Sequence, residues 1–369
     1  MPSSRSVIDE NGNLFGVVNV IDALVVFLIL AVVVAGVSLV LSGGDESETT
    51  ELGTTYVTLD IGDLPEYILA EMSEGDSYSP GGSSQLTITD LHAASAGNQS
   101  HAFVRAELRG PVDGESIRYA EDIPQLGRAL TISTNQYNTT GTIIAIGEND
   151  SLARETTAVL LRDTVGADTA ESITEGDSMT VAGDSVAQVE TVTTYATVNP
   201  DRRQVFVGVS LETLSATTPQ FGGTTLQDGQ QLTFQTANYS LYGTTQRVGA
   251  TEQRGTETTR TVTLQLTNVS EQRADTFEPG MAEQSGGETV ANITGVSVEP
   301  TTVVTTADNG SVRAVDHPYL REVTLTTELS VRETASGVRF KGDTIEQGST
   351  VVIDFGPVTV QAEVVSLEA

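Results

Sequence analysis

Hydrophobic and polar positions follow two regimes along the 369 residues. Between Ala23 and Leu41, fourteen of nineteen positions are Leu, Ile, Val or Phe and none is charged. At 1.5 Å per residue such a helix reaches roughly 28 Å, close to the hydrocarbon thickness of a bilayer. Its aliphatic side chains favour insertion by about 4 to 8 kcal/mol, and a soluble helix seldom stays apolar on every face for this long. The pattern predicts a single transmembrane helix over 23–42. Beyond it the chain turns to short alternating runs: "TYVTLDI" (55–61), "TAVLLRD" (157–163), "VFVGVSLETL" (205–214), "VTLQLTN" (262–268) and "VTLTTELSV" (323–331). Period-two patterning rich in Val and Thr predicts half-buried strands. One short helix is predicted in "DLPEYILAEMSEG" (63–75), with Asp63 as its cap and Pro65 in its first turn. There Leu64, Ile68, Leu69 and Met72 share a face and Gly75 ends the helix.

These runs recur in order. "LGRALTISTNQYNTTGTIIAI" begins at Leu126 and "DGQQLTFQTANYSLYGTTQRV" at Asp228. In both, a glycine (Gly127, Gly229) is followed ten residues later by tyrosine (Tyr137, Tyr239) and fourteen later by glycine (Gly141, Gly243). A diverged third copy keeps Gly348, Val351 and Ile353 but has Val358 and Ala362 at the last two places. Upstream, "SEGDSYS" around Gly75 recurs as "TEGDSMT" around Gly176 and as "EPGMAEQ" around Gly280. Matches at separated places in constant order indicate tandem units of about 100 residues, long enough to hold separate cores. The expected fold is mainly β: one N-terminal transmembrane helix, then three small tandem β-barrel or sandwich domains. The boundaries read 1–22 for a cytoplasmic leader with a short hairpin, 23–42 for the helix and 43–53 for an acidic linker. The three β-domains then occupy 54–148, 155–250 and 260–368.

The flanks of the helix give it a direction. A cleaved signal needs a short basic leader, whereas here the leader is long, carries Asp9 and Glu10, and has only Arg5 as a base. An uncleaved anchor follows, with Asn19 as a membrane-interface cap and Asp22 at the positive end of the helix. Arg5 before the helix, and no Lys or Arg from Gly43 to Val104, place the N-terminus in the cytoplasm. Downstream, Asn98, Asn138, Asn149, Asn238, Asn268, Asn292 and Asn309 each begin an N-x-S/T sequon. That is more than a Ser/Thr-rich chain supplies by chance, so the seven are candidate glycosylation sites on an exported surface. The expected location is the cell membrane, single-pass, with the C-terminal domains extracellular.

Composition adds an environment. Fifty acidic residues face eighteen basic ones for a net charge of −32, Lys341 is the sole lysine, and cysteine is absent. At molar salt the screening length is about 3 Å, so such charge is tolerated; the composition fits an extreme halophile. Without cysteine there is neither a disulfide framework nor thiol chemistry. The charge and the lack of basic clusters exclude nucleic acid as a partner. His92, His101 and His317 show no metal-ligand spacing and read as solvated. Glu74-Gly75-Asp76 and Glu175-Gly176-Asp177 resemble a repeated cation site, but the third copy has Pro279-Gly280-Met281. Gly75, Gly176 and Gly280, like Gly127, Gly229 and Gly348, therefore read as structural turns. No nucleophile elbow, phosphate loop or dinucleotide fingerprint appears; catalytic, cofactor and metal residues are all expected to be none.

The opening "IDENGNLFGVVNVIDALVVFLILAVVV", with a hairpin turning at Asn11-Gly12, an "LFG" and an "N-x-I-D" step, resembles the membrane-anchored family called domain of unknown function 4330. "TTADNGSV", "HPYLREVTLTT" and the final strand pair resemble its extracytoplasmic domain, here in three copies rather than one. The resemblance implies architecture and brings no activity. The expected function is a non-catalytic structural or interaction protein of the cell envelope. Its partners would be the lipid bilayer, an envelope protein or glycan, and further copies of the chain. The alternative, by analogy with the architecture of mammalian-cell-entry proteins, is a ring-forming conduit for lipid or small hydrophobic molecules. Dilution from molar to about 50 mM salt lengthens screening several-fold. It is expected to abolish the β circular dichroism of the folded chain; full retention would refute the salt-adapted reading.

Overall fold

The structure is a computed structural model that describes residues 13–14, 18–19, 51–95, 99–215, 219–306 and 312–368. The predicted span 23–42, most of the linker, Asp22, Asn98 and Asn309 lie outside the described residues. No helix among those described is long and apolar enough to cross a membrane. The chain divides into two compact units, Met1–Glu51 and Leu52–Ala369. In the first, Asn13–Leu14 pairs antiparallel with Val18–Asn19, Leu14 opposite Val18. Asn11-Gly12, where the hairpin was expected to turn, lies outside the described residues. Asn19 ends the second strand, and the helix it was expected to cap lies outside the described residues.

The second unit holds three antiparallel sheets built alike. The first contains β1 (Leu52–Leu64), β2 (Ser77–Gly81), β3 (Ser84–Ser95), β4 (Ser100–Asp113), β5 (Ala129–Ser133) and β6 (Asn138–Gly147). The second contains β7 (Arg154–Gly166), β8 (Ser178–Val181), β9 (Asp184–Ala196), β10 (Arg202–Leu214), β11 (Gln231–Gln235) and β12 (Ser240–Val248). The third contains β13 (Thr256–Ser270), β14 (Ala282–Ser285), β15 (Glu288–Thr306), β16 (Val312–Thr334), β17 (Gly337–Phe340), β18 (Thr350–Asp354) and β19 (Thr359–Leu367). The strand orders are β2-β3-β4-β1-β6-β5, β8-β9-β10-β7-β12-β11 and β14-β15-β16-β13-β19-β18. A register shift falls at the same step of the first strand each time, between Thr58 and Leu59, Leu160 and Leu161, and Thr263 and Leu264. Val57 and Leu59, Val159 and Leu161, and Val262 and Leu264 are all buried in the core. The chain is thus mainly β, with tandem barrel-like sheets.

Between the first and second strands of each sheet lies one short helix: α1 (Glu66–Leu69), α2 (Ala167–Ser172) and α3 (Glu271–Ala274). Asp63 does not cap α1, whose cap position is Pro65 without a side-chain bond. The reason is that β1 continues through Leu64, pairing Asp63 with His101.

The predicted turn glycines form two equivalent sets. Gly75, Gly176 and Gly280 have φ of 90°, 90° and 96° and donate N–H to Ile88, Val189 and Ile293 at 2.8, 2.9 and 2.7 Å. Gly127, Gly229 and Gly348 have φ of 81°, 85° and 87° and donate to Ile143, Thr245 and Val364 at 2.8, 2.7 and 2.8 Å. The two motifs then meet through side chains. Tyr137 Oη donates to Asp76 at 2.6 Å, and Tyr239 Oη to Asp177 at 2.8 Å. The same carboxylates accept the N–H of Ser73 at 3.0 Å and of Thr174 at 2.9 Å. In the third sheet both partners change together: Met281 and Val358 pack on the core instead. Burial, then Asp177, raises the Tyr239 phenol above its ordinary pKa. The Thr174 N–H lowers that of Asp177. Tyr239→Phe is expected to reduce stability by about 1 kcal/mol, since the half-exposed carboxylate can turn to water. Denaturant titration in molar salt would show it, and an unchanged midpoint would mean the bond contributes nothing.

Candidate functional site

The turn carboxylates are engaged within the fold. Asp76 and Asp177 accept from tyrosine and backbone, and no cluster of three or more His, Asp or Glu able to hold a metal occurs among the described residues. His92 and His101, expected to be solvated, lie on β3 and β4. His92 is only 5% exposed. Both face the second sheet, where the side-chain chemistry of the molecule concentrates.

The first junction sets the two edge strands of the second sheet, β8 and β11, against β3 of the first. A two-residue hairpin beside them, Phe221 paired with Thr224, closes over Gly222 and Gly223. Both glycines have positive φ, 55° and 70°, as a type I′ turn demands. A Cβ on Gly223 would stand 2.5 Å from His101 Nδ1, so only glycine permits the approach. His101 packs against Phe103 with ring centroids 4.9 Å apart. Its ring nitrogens meet Asp63 at 2.7 Å and Asp60 at 2.8 Å. Alongside, buried Asp90 accepts the Leu152 N–H at 2.7 Å and the Arg154 guanidinium. Arg154 also reaches Glu212 at 3.3 Å, and His92 meets Glu212 at 3.2 Å. Burial lowers the pKa of His92, opposed by Glu212.

The second junction repeats the arrangement one sheet later. Edge strands β14 and β18 of the third sheet lie against β9 of the second. The hairpin here pairs Phe340 with Asp343 over Lys341 and Gly342, at φ 51° and 85°. A Cβ on Gly342 would stand 2.3 Å from Phe206 Cζ. Phe206 is the counterpart of Phe103: they precede Val207 and Val104, which pair with Leu161 and Leu59. Arg162 donates both guanidinium arms to Asp343, at 2.9 and 2.8 Å, and another bond to Gln204 at 2.9 Å. That fork is the strong bidentate kind. Beneath it Lys341, the only lysine, donates to Glu283 at 2.7 and 2.5 Å and to the Val352 carbonyl at 2.7 Å. Glu283 also accepts the N–H of Ala196 at 3.3 Å and of Asp354 at 3.1 Å. One carboxylate thus ties β9 of the second sheet to β18 of the third. The side chains of Lys341 and Glu283 are 8% and 5% exposed. Burial lowers the Lys341 pKa, with Glu283 opposing.

Of the sequons, Asn138, Asn149, Asn238 and Asn268 are exposed and Asn292 is half-buried. Asn268 has φ of 55° at the irregular step of β13. None of the five belongs to a junction. The residues that do, Gly223, Gly342, Phe103, Phe206 and Glu283, carry no motif of their own. The one sequence signal for them was a lysine occurring once in an acidic chain.

Three sheets of one strand order, joined by two junctions of one design, define a tandem β-domain protein. Within that class the chain belongs to the family described as "Domain of unknown function (DUF4330)", whose model matches residues 6–97 and 245–368, more than half of the chain. The second range takes in the whole third sheet, while 98–244 fall outside both. No curated protein and no solved structure matches the chain.

A buried ion pair that loses one partner leaves an uncompensated charge, whereas apolar replacement of both is often neutral or stabilising. Lys341→Met is therefore expected to cost about 3 to 5 kcal/mol. Lys341→Met with Glu283→Met, which copies Met179 at the same place in the second sheet, is expected to recover most of it. Calorimetry of the three proteins checks this, and equal loss in single and double variants would refute it.

Proposed function

We propose that this is a membrane-anchored extracellular structural or interaction protein of the cell envelope, a stiff series of β-domains without catalysis, carried on a helix over 23–42. The observation that supports it most is the repeated junction. Linked domains move relative to one another unless their interface is large or specific. Here each hinge is closed by a glycine-tipped hairpin, a charged network and backbone-to-side-chain bonds across the sheets. Such a series holds its first and third domains in a fixed relation to one another. Residues 23–42 supply the apolar span, and Arg5 supports an N-terminus on the cytoplasmic side. Exposed Asn138, Asn149, Asn238 and Asn268 are open to glycosylation. The acid excess suits a salt-rich exterior. Lipid contacts the anchor; an envelope protein or glycan is the partner at the far end.

Because the chain has no cysteine, single cysteines report topology cleanly. A membrane-impermeant maleimide applied to intact cells is expected to label Ser151→Cys, an exposed site, and to reach Ser4→Cys only after lysis. The opposite pattern, or labelling of neither before lysis, would overturn the orientation.

A further inference from the structure

The junction is heterologous: one face of a sheet receives, and the seam with its hairpin inserts. Three domains make two such contacts and leave one inserting face on the first sheet and one receiving face on the third. If those faces kept the junction chemistry, copies of the chain would add end to end. We infer that both have been altered so that they cannot, and that the array is closed at three domains against a second copy of itself.

On the inserting side, the first sheet has the same hairpin, Tyr119 bridged to Asp122 over Ala120 and Glu121. Its φ values are 48° and 70°, matching Gly222 and Gly223. The backbone there still favours glycine, yet the residue at the contact point is glutamate, exposed to solvent. A seat that leaves 2.5 Å for a Cβ at Gly223 and 2.3 Å at Gly342 cannot admit a glutamate side chain. A residue kept against its backbone preference, at the one position where its bulk blocks the contact, acts through that bulk.

On the receiving side, the counterpart of Phe103 and Phe206 is Thr324, beside Leu325, which pairs with Leu264. The aromatic seat is gone. Along β15 the places of His92 and Tyr195 are taken by Ser297 and Glu299, both exposed. Glu322, hydrogen-bonded to Gln265, stands where His101 and Gln204 stand in the other sheets. An incoming Glu121-Asp122 tip would meet Glu299 and Glu322, like charge against like. Terminal units of repeat arrays need polar outer faces of this kind to remain soluble.

The inference rests on the tether reading, and the test separates the two. The full chain in detergent and molar salt is expected to show a single-chain mass by light scattering up to high concentration. E121G with T324F restores glycine and aromatic seat, and is expected to associate at least about tenfold more tightly. In that background D122C and Q265C, which stand in the places of Asp343 and Arg162, are expected to be joined between chains by a short bis-maleimide. If T324F unfolds the third sheet by circular dichroism, E121G with T324V serves instead. Wild-type ends that cross-link through D122C and Q265C as readily as the variant's would overturn the inference. So would a folded variant that keeps a single-chain mass and gives no cross-link. Ring-sized wild-type oligomers lacking that cross-link would support closed ends while overturning the tether.

Discussion

The seating of a two-residue hairpin on the neighbouring sheet is the contact on which the unit from Leu52 to Ala369 depends. It works because a type I′ turn already demands positive φ at both central residues, so a glycine there serves two ends at once. It relieves the turn, and it brings the backbone within van der Waals reach of His101 or Phe206. The aromatic at the hairpin base, Phe221 or Phe340, is buried, so the tip is anchored beside its contact. Preorganisation of that kind lets a small contact fix a large body, because little conformational entropy is lost on docking.

The distribution of cations follows from this. An acidic chain with eighteen bases repels itself, and each base placed at a junction removes repulsion where two domains are closest. Arg154 meets Asp90 and Glu212; Arg162 meets Asp343; Lys341 meets Glu283. Arg105 turns inward, donating to Thr58 and to the carbonyl of Asn149, and packs over Tyr56. Lys341 is sealed deeply enough that desolvation competes with its pairing. A compact ammonium rather than a guanidinium fits the narrow space beneath Tyr195 and Phe340.

How much of this could be read beforehand varied with the length scale of the cause. Val57 with Leu59 and their counterparts announced the first strand of each sheet, because a two-residue period is local. The six turn glycines were legible because positive φ is also local. The end of β1 was not: Asp63 and Pro65 look like a helix start, but pairing with His101 and Ser100, nearly forty residues away, keeps the chain extended. His92 and His101 looked solvated because the stretch between them, "SAGNQS" (95–100), is rich in turn-forming residues. What buries them is the second sheet, which no window of sequence around them contains. The link between Asp76 and Tyr137 was hidden in the same way, although both had been marked separately.

The third sheet differs from the other two in where its polar groups lie. It has Met281 and Val358 where the others have aspartate and tyrosine, and Ala362 where Gly141 and Gly243 lie against Leu59 and Leu161. Its turn thus lacks the carboxylate–phenol bond and rests on apolar packing with the backbone bonds of Gly280 and Gly348. In exchange it carries Glu283 at the place of buried Met179, matched by Lys341 at the place of Gly222. The polar pair has moved from inside the domain to the contact between domains, so this copy specifies its neighbour more strongly than its own turn. That is the arrangement to expect of a unit whose orientation, more than its local rigidity, is what the array must preserve.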